Sequence, residues 1–334
     1  MAFGPFSANK LEFGLQGTVA TAKTPTVAWA GPATDIQDTS VVVFVSEDTG
    51  TLGPSGRSYV PFNGAMVAFP ETEFTFQQGW YVFQTGMGSV AAGAGTVTRT
   101  YTAPYGTALP TFQPATIRSG NAVVGDGGQM MGAFASEWEV SGSGTDAIKI
   151  TSTWMGQRRT TQALVGTAVT IPSTLEVALN AKTTLYSDAT GGTVGTTQVI
   201  GTMRSFSVKG KSPWMFVPIG DGNTYPTIYK FAPSDDDTYS ASMTFELEDN
   251  TSGTAVVNQR SYFANQTVRL YRIKVPGATP NELSFDFAAK PEKVNSYERD
   301  GGNTLVTVDF KIRPSVADSL YFVATVVNTV TTNP

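Results

Sequence analysis

The chain has 334 residues, a formal net charge of −5, and no cysteine or histidine. Without these residues it has no disulfide, no cysteine-ligated metal centre, no cysteine nucleophile and no imidazole base. Charged residues make up only 15% of the sequence, against roughly 25% in an ordinary soluble domain. Only carboxylates, lysine or tyrosine could act as acid–base catalysts. We therefore expect a protein that is not an enzyme. We also expect it to hold no metal or cofactor.

The length and the hydrophobic content of 40% predict one large or two ordinary folded domains. No apolar run approaches the 18 residues of a membrane span. The first residues lack the charged and apolar regions of a signal peptide. We therefore expect a protein that folds in the compartment where it is made and has no membrane partner.

Strands are predicted along the whole chain, because β-branched and aromatic residues are abundant and apolar residues often alternate with polar ones. Two continuous apolar runs, Val41–Val45 and Tyr321–Val327, predict strands that are covered on both faces. The alternating segments are Ser136–Ile150, which has a Gly/Ser/Asp turn inside it, and Ser205–Lys209, Ser240–Asp249, Thr267–Val275 and Thr304–Arg313. The pattern predicts an all-β fold.

One segment, Pro70–Gly88, favours a short helix. It begins with proline and two glutamates, which suit a first helical turn, and it ends at glycines. Phe76, Trp80 and Phe83 have the spacing of one helical face.

The composition shifts near residue 150. Residues 1–150 hold six basic and eleven acidic residues, whereas the remainder holds sixteen of each. We place a domain boundary there, with an N-terminal β domain over residues 1–157 and a C-terminal β domain over residues 158–334. Met1–Thr26 and Asn328–Pro334 are expected to be terminal arms.

Three kinds of charged cluster were weighed as sites. The aspartates 235–237 lack the spacing of a calcium loop, so we expect a solvated loop. Glu137 and Glu139 would share a strand face, as the paired carboxylates of glycosidases can, but nothing else supports that reaction. The basic residues could contact nucleic acid or an acidic neighbouring subunit, and the acidic net charge favours the subunit. These basic residues are Arg158, Arg159, Arg269, Arg272 and Lys274.

The order of segments resembles the major tail tube proteins of long-tailed, non-contractile (siphovirus-type) bacteriophages. The opening Phe13–Pro25 (FGLQGTVATAKTP) is similar to a Gly-x-Gln-x-Thr-x-x-Thr-Ala-x-x-Pro pattern of that family. Pro70–Gly88 resembles its strand-adjacent helix, and residues 101–156 resemble its succession of Gly, strand, turn, strand and Gly. The ending Thr304–Asn328 looks like its final hairpin.

Membership of this family would imply a β-sandwich or barrel tail-tube fold with one or two short flanking helices, in two tandem copies because the chain is about twice as long as one tube domain. Subunits would join sheet edges into rings, either trimers with pseudo-sixfold symmetry or hexamers. Rings would stack into a tube through which viral DNA passes without sequence-specific binding. The implied partners are a tape measure protein inside the tube and tip and terminator proteins at its ends. The protein would be made and assembled in the host bacterial cytoplasm and end in the virion tail.

Ring stacking is expected to use the long loop Ser46–Gly64 and both termini. Its candidate contact residues are Ser46, Glu47, Asp48, Arg57 and Tyr59. The alternative function is a carbohydrate-binding or adhesin-like β module of a phage fibre, in which Trp29, Trp80 or Trp214 would stack on sugars. Burial in the core is the competing interpretation of these three tryptophans.

Overall fold

The computed structural model describes residues 8–19, 21–46, 57–88, 90, 96–104, 109–166, 168–199, 203–217, 219–232, 238–246, 255–300 and 302–334. The described residues form 22 strands and two α-helices, and all strand pairings are antiparallel. The prediction of an all-β fold is confirmed.

The first half of the chain runs to residue 161. Its elements are β1 (Asn9–Leu15), β2 (Val27–Ala28), β3 (Gln37–Asp38), β4 (Val41–Phe44), β5 (Ser58–Phe62), β6 (Ala65–Glu73), α1 (Trp80–Gly86), β7 (Val97–Thr102), β8 (Ala115–Asn121), β9 (Gly127–Ser143), β10 (Lys149–Gly156) and β11 (Arg159–Thr161).

The second half begins with a single 3-10 turn at Asn180–Lys182. Its further elements are β12 (Thr184–Ala189), β13 (Gln198–Val199), β14 (Met203–Lys211), β15 (Trp214–Val217), β16 (Ile228–Phe231), β17 (Tyr239–Glu246), α2 (Ala255–Ala264), β18 (Arg269–Pro276), β19 (Glu282–Val294), β20 (Glu298–Asp300), β21 (Asn303–Ile312) and β22 (Phe322–Asn328). The alternating segments predicted in both halves therefore form strands, at bounds close to those expected.

Strand β9 is the longest of the described strands and has different neighbours along its length. Its first part pairs with β8 on one side and β11 on the other. Its second part pairs with β10 and β14. Between the two parts lies Gly132, whose φ of 59° is a left-handed conformation that glycine adopts without strain. The bend at this point lets one strand belong to two sheet regions.

The order of strand pairing in the first half recurs in the second. In the first half the order is β2–β1–β8–β9–β10–β6–β3, with β11 also paired to β9. In the second half it is β13–β12–β18–β19–β21–β17–β14, with β22 also paired to β19. Helix α1 follows β6 as α2 follows β17, and the small hairpins β4–β5 and β15–β16 occupy the same place in each order. Strands at the same place are called corresponding strands below.

Two strand pairings join the halves. β9 pairs with β14 over seven residue pairs, and β7 pairs with β22 over six. The buried apolar side chains of both halves also form one cluster. The two halves are thus parts of one continuous antiparallel sheet, and the division at residues 157 and 158 stays a prediction.

The core contains many aromatic side chains among aliphatic ones. Phe13 of β1 faces Trp154 of β10 at a centroid distance of 5.6 Å, and Trp29 of β2 faces Phe69 of β6 at 5.1 Å. Helix α1 lies entirely inside this core. Phe83 is fully buried and its ring meets rings from three further elements, those of Tyr101, Trp138 and Phe285 at 5.9, 5.1 and 5.9 Å.

The predicted helix is shorter than expected. It spans Trp80–Gly86, while the proline and two glutamates that suggested a first turn belong to the end of β6. Strand pairing with β10 decides this, because it satisfies the backbone hydrogen bonds of residues 65–73 before the helix begins. Phe76, Trp80 and Phe83 are all fully buried, but Phe76 precedes the helix, so the three do not form one helical face as predicted.

Both termini differ from the expected arms. Residues 9–15 form β1 inside the region expected to be an arm, and residues 1–7 lie outside the described part of the chain. The C-terminal residues fold back on the same chain. The side chain of Asn328 donates to the carbonyl of Phe76 at 2.6 Å and accepts from buried Arg99 at 3.0 Å, and the carbonyl of Pro334 accepts from the backbone N–H of Leu15 at 2.8 Å.

The prediction for Val41–Val45 is wrong in the single chain, since β4 is not covered on both faces. Val41, Val42 and Phe44 are 51%, 50% and 77% exposed. The second apolar run, as β22, alternates buried and half-buried residues and is covered on one face. An apolar strand that stays exposed is unusual for a folded chain.

Phe83→Ala tests the central aromatic contact. The substitution removes a ring that packs against both halves, so we expect the free energy of unfolding to fall by roughly 3–5 kcal/mol. Urea unfolding of the unassembled protein measures it. Phe44→Ala is the control, because that exposed ring should change the free energy by less than about 0.5 kcal/mol. Equal effects of the two substitutions would contradict this account of the core.

Asp188, near the end of β12, gives the fold a pH dependence. Its carboxylate accepts hydrogen bonds from the backbone N–H groups of Gly195, Thr196 and Thr197 at 2.8, 3.1 and 2.8 Å. Burial raises the pKa of this carboxyl group, but the hydrogen bonds outweigh burial and hold the pKa below its usual value.

Because the folded pKa of Asp188 is below the unfolded pKa, its stabilisation is present above the ordinary aspartate pKa of about 4 and is lost as pH falls through the folded value. We expect Asp188→Asn to lower the free energy of unfolding at pH 7, and the difference from wild type to shrink on acidification. Urea unfolding at a series of pH values measures the difference. A difference that stays constant with pH would contradict the role of the carboxylate.

Candidate functional site: assembly surfaces

A polar sheet face extends across both halves, over β6, β10, β9, β14 and β17. It carries two open depressions of about 490 and 400 Å³. Serine, threonine, glutamate and lysine side chains dominate their lining, including Thr151, Ser207 and Ser242. The opposite side chains of the same strands point into the core, as period-2 alternation requires. We call this surface the polar face.

The charges of the polar face are arranged in pairs. Lys209 of β14 lies 3.1 Å from Glu139 of β9, and Lys211 lies 3.7 Å from Glu137. Arg204 and Glu246 form a further pair at 3.4 Å. Glu137 and Glu139 do share one strand face, as predicted, but each has a lysine opposite. Two of the acidic residues of the first half are therefore paired here with lysines of the second half.

The polar face is continuous because β9 pairs with β14, and this pairing is called the seam. In the seam, Val140 lies opposite Val208 and Trp138 lies opposite Gly210. Both valines are fully buried, and Trp138 is 3% exposed. A Cβ atom added to Gly210 would lie 2.3 Å from the Trp138 ring. Glycine is thus required at this position, because the indole ring lies directly on its backbone.

Two strand edges that correspond to the seam have no partner strand among the described residues, although on the first of them the N–H of Ile36 donates to the hydroxyl group of Ser119 at 3.0 Å. β3 corresponds to β14, and its described pairing is with β6 alone. Residues 293–299 lie beside β21 on one side, as the second part of β9 lies beside β10. On their other side no strand is paired among the described residues. In the seam, the strands that correspond to these two edges, β14 and the second part of β9, pair with each other.

The correspondence can be fixed residue by residue. The N–H of Lys211 donates to the carbonyl of Thr238, as that of Thr39 does to Gly64, so residue 39 corresponds to 211. Ala133 pairs with Ala115, the first residue of β8, and Ala289 pairs with Arg269, the first residue of β18. Residue 289 therefore corresponds to residue 133. Transferred to the open edges, the seam register places residues 33–39 opposite residues 299–293.

The two open edges have opposite charge. Residues 33–39 (ATDIQDT) include two aspartates and no basic residue, while residues 293–299 (KVNSYER) include two basic residues and one glutamate. Burial differs between the two edges: Ser296 and Tyr297 are exposed, whereas Ile36, at the position corresponding to Val208, is buried within the chain. Each edge is thus suited to the other, but within one chain they lie at opposite ends of the pairing order.

The residues predicted to mediate ring stacking lie on the β4–β5 hairpin or beyond it. Ser46, Arg57 and Tyr59 are exposed at its outer end. Glu47 and Asp48 lie outside the described residues, as do the aspartates 235–237. The stacking role of these residues stays a prediction.

The basic residues predicted to pair with a neighbouring subunit have contacts within the chain. Arg272 forms a bidentate pair with Asp286, with both N–O distances at 2.6 Å, and Lys274 lies 2.8 Å from Glu282. The remaining contacts are those of Arg269 with the carbonyl of Ser187 at 3.0 Å, Arg159 with Asp35 at 3.9 Å and Arg158 with the ring of Tyr225 at 4.1 Å. Their role between subunits stays a prediction.

The three tryptophans that could have stacked on sugars belong to packed clusters. Trp29 and Trp80 are 5% and 0% exposed. Trp214 is half-buried against the rings of Phe112 and Phe231. Burial in the core is confirmed for Trp29 and Trp80, and neither can present a ring to a saccharide.

The functional residue that sequence reasoning missed is Arg99. Its guanidinium group is fully buried, lies 4.0 Å from the Trp80 ring centroid and donates to the carbonyl of Val330 at 2.6 Å. Burial is the largest influence on it and lowers its pKa. A single arginine in an alternating strand (VTRTYT) gave no signal of this role, which is to hold the C-terminal residues against the first half.

Neither a family model nor a curated protein matches the sequence. Among the residues that the structure describes, no helix is long and apolar enough to cross a membrane.

Gly210→Ala tests the seam. The added methyl group would overlap the buried Trp138 ring, so we expect the free energy of unfolding to fall by roughly 1–3 kcal/mol. Gly220→Ala is the matched control, because a Cβ atom there meets nothing within 4 Å. Urea unfolding followed by tryptophan fluorescence compares the two variants. A Gly210→Ala protein as stable as wild type would contradict the close packing at the seam.

Proposed function

We propose that this protein is a structural virion protein that assembles into rings, and that the rings stack into the tail tube of a long-tailed bacteriophage. The observation that carries the proposal is the seam together with the two open edges that correspond to it. One pairing of this kind is already made inside the chain. A second copy can make the same pairing at the open edges, with residues 33–39 of one copy beside residues 299–293 of the next.

This contact is heterologous, since each copy uses one edge to bind one neighbour and the other edge to bind the next. Heterologous contacts produce a ring when the rotation closes and a filament when it does not. Ring closure would leave none of these edges open, which removes the aggregation hazard of exposed strand edges. Because each chain supplies the seam arrangement twice, three chains would give a ring with pseudo-sixfold symmetry.

The polar face is the surface that supports a role as a DNA conduit. We place it on the inside of the ring, where it would meet the phosphate backbone of passing DNA. Two of its lysines, Lys209 and Lys211, are paired with glutamates, and its lining is rich in hydroxyl groups. Without a run of unpaired basic residues, few counterions would be released on contact, so DNA would be held weakly and could slide.

The resemblance of segment order to tail tube proteins supports the phage assignment specifically. It also supplies the expected partners, namely a tape measure protein inside the tube and tip and terminator proteins at its ends. The site of action would be the virion tail, after assembly in the host cytoplasm. No catalytic step is part of the proposal.

Ser296→Pro tests the proposed edge contact. The N–H of Asn295 donates to Thr307 within the chain, so by alternation the N–H of Ser296 points to the open edge. Proline removes that donor without breaking the pairing with β21. We expect tubes or rings to fall to a small fraction of wild-type yield in negative-stain electron microscopy and sedimentation.

Ser296→Ala, which keeps the N–H, is the matched control and should assemble as wild type does. Circular dichroism and the thermal midpoint establish that the proline variant is folded. A folded Ser296→Pro protein that assembles at wild-type yield would exclude this edge. A wild-type protein that stays monomeric at every concentration would exclude self-assembly, and a ring with six identical chains would exclude the trimer.

A further inference from the structure

The β4–β5 hairpin has the apolar sequence of a buried strand but is exposed in the structure. Val42 and Phe44 are 50% and 77% exposed. Burial of such side chains would be favourable, because it removes apolar surface from water. An apolar surface of this kind commonly marks a contact with another protein surface.

The corresponding hairpin, β15–β16, shows what can cover it. Each hairpin begins shortly after the equivalent backbone hydrogen bond, from Thr39 to Gly64 and from Lys211 to Thr238. Phe44 lies five residues after Thr39, and Phe216 lies five residues after Lys211. The two phenylalanines therefore correspond to each other. Phe216 is half-buried, with its ring 5.4 Å from that of Phe134 in β9. The second-half hairpin therefore packs on the first half, across the seam.

The covering surface has two parts. One is the bend of β9, where Phe134 contacts Phe216 and the carbonyl of Gly132 accepts a hydrogen bond from the hydroxyl group of Tyr229. The other is the segment after β10. The Gln157 side chain donates there to the carbonyl of Pro226 at 2.8 Å, and Arg158 lies over the Tyr225 ring.

The second half has segments that correspond to this covering surface. They lie on the side that would face a neighbouring copy in the proposed ring. The segment after β21 corresponds to the one after β10: the N–H of Arg313 donates to Ala288 at 2.9 Å, and that of Gln157 donates at 2.9 Å to Met131, one residue before the position corresponding to Ala288. In this numbering Phe44 corresponds to Phe216, and Lys290 in β19 corresponds to Phe134. The contact between Phe216 and Phe134 inside the chain therefore corresponds to a contact between Phe44 and Lys290.

We propose that the β4–β5 hairpin of one copy packs sideways on the second half of a second copy of this chain, with the Phe44 ring against the half-buried side chain of Lys290 in β19. The occupant is fixed by the chain's own geometry, because β15–β16 makes the corresponding contact across the seam. The inference rests on the proposed ring. It gives the base of the hairpin a role within a ring, beside the stacking role predicted for the loop beyond it.

The absence of cysteine from the chain allows a direct test. Phe44→Cys and Lys290→Cys proteins are prepared separately, assembled together and oxidised with a mild oxidant. We expect a crosslinked dimer on non-reducing gels only when both variants are present, and only in assembled material. Each variant oxidised alone is the control, since the two copies of one position would not meet.

Phe44→Ser provides an independent measurement. It should leave the unassembled protein as stable as wild type and raise the concentration needed for assembly roughly tenfold. Ile171→Ser is the matched control, because Ile171 is also an exposed apolar residue, at 52%, and should not change assembly.

The outcomes separate this inference from the proposed function. Assembly of wild type with no mixed crosslink, and with Phe44→Ser assembling normally, would overturn the hairpin contact and leave the ring intact. A crosslink between two copies of Phe44→Cys alone would assign the hairpin to a symmetric contact and would also overturn the inference. If wild type forms no rings or tubes under any condition, the proposed function fails, and this inference fails with it.

Discussion

Backbone hydrogen bonding between β9 and β14 is the interaction on which the rest of the structure depends. It joins the sheet of the first half to that of the second and makes the polar face continuous. It also places lysines of β14 opposite glutamates of β9, so that two segments of different charge balance each other. β9 can make this pairing because the bend at Gly132 frees its second part from β8.

The order of paired strands finishes at two edges that correspond to the two strands of the seam. Inside a chain, β14 covers the second part of β9 and buries Val140 and Val208. At the ends of the pairing order, β3 and residues 293–299 lack that cover among the described residues. An exposed strand edge is a hazard for a protein that must stay monomeric and a bond for one that must assemble. The same holds for the apolar β4–β5 hairpin, whose counterpart is covered across the seam.

Local patterns in the sequence predicted much of the strand structure. The alternation in Ser205–Lys209, Thr267–Val275 and Thr304–Arg313 placed β14, β18 and β21, because side chains on a strand point alternately to core and solvent. The β1 strand was missed, although Leu11, Phe13 and Leu15 alternate there. Between them Glu12 is fully buried, with Lys10 3.0 Å away and the N–H of Val165 as donor, and that charged residue obscured the pattern.

The sequence by itself determined an all-β chain, the approximate strands, a short buried helix and the absence of cysteine and histidine chemistry. These properties follow from composition and from periodicity over a few residues. Only the tertiary structure decided which edges are paired, which apolar strand is left exposed and which charges neutralise each other. Those properties depend on hydrogen bonds and contacts between residues far apart in the chain, such as Val140 with Val208, and no local pattern records such partners.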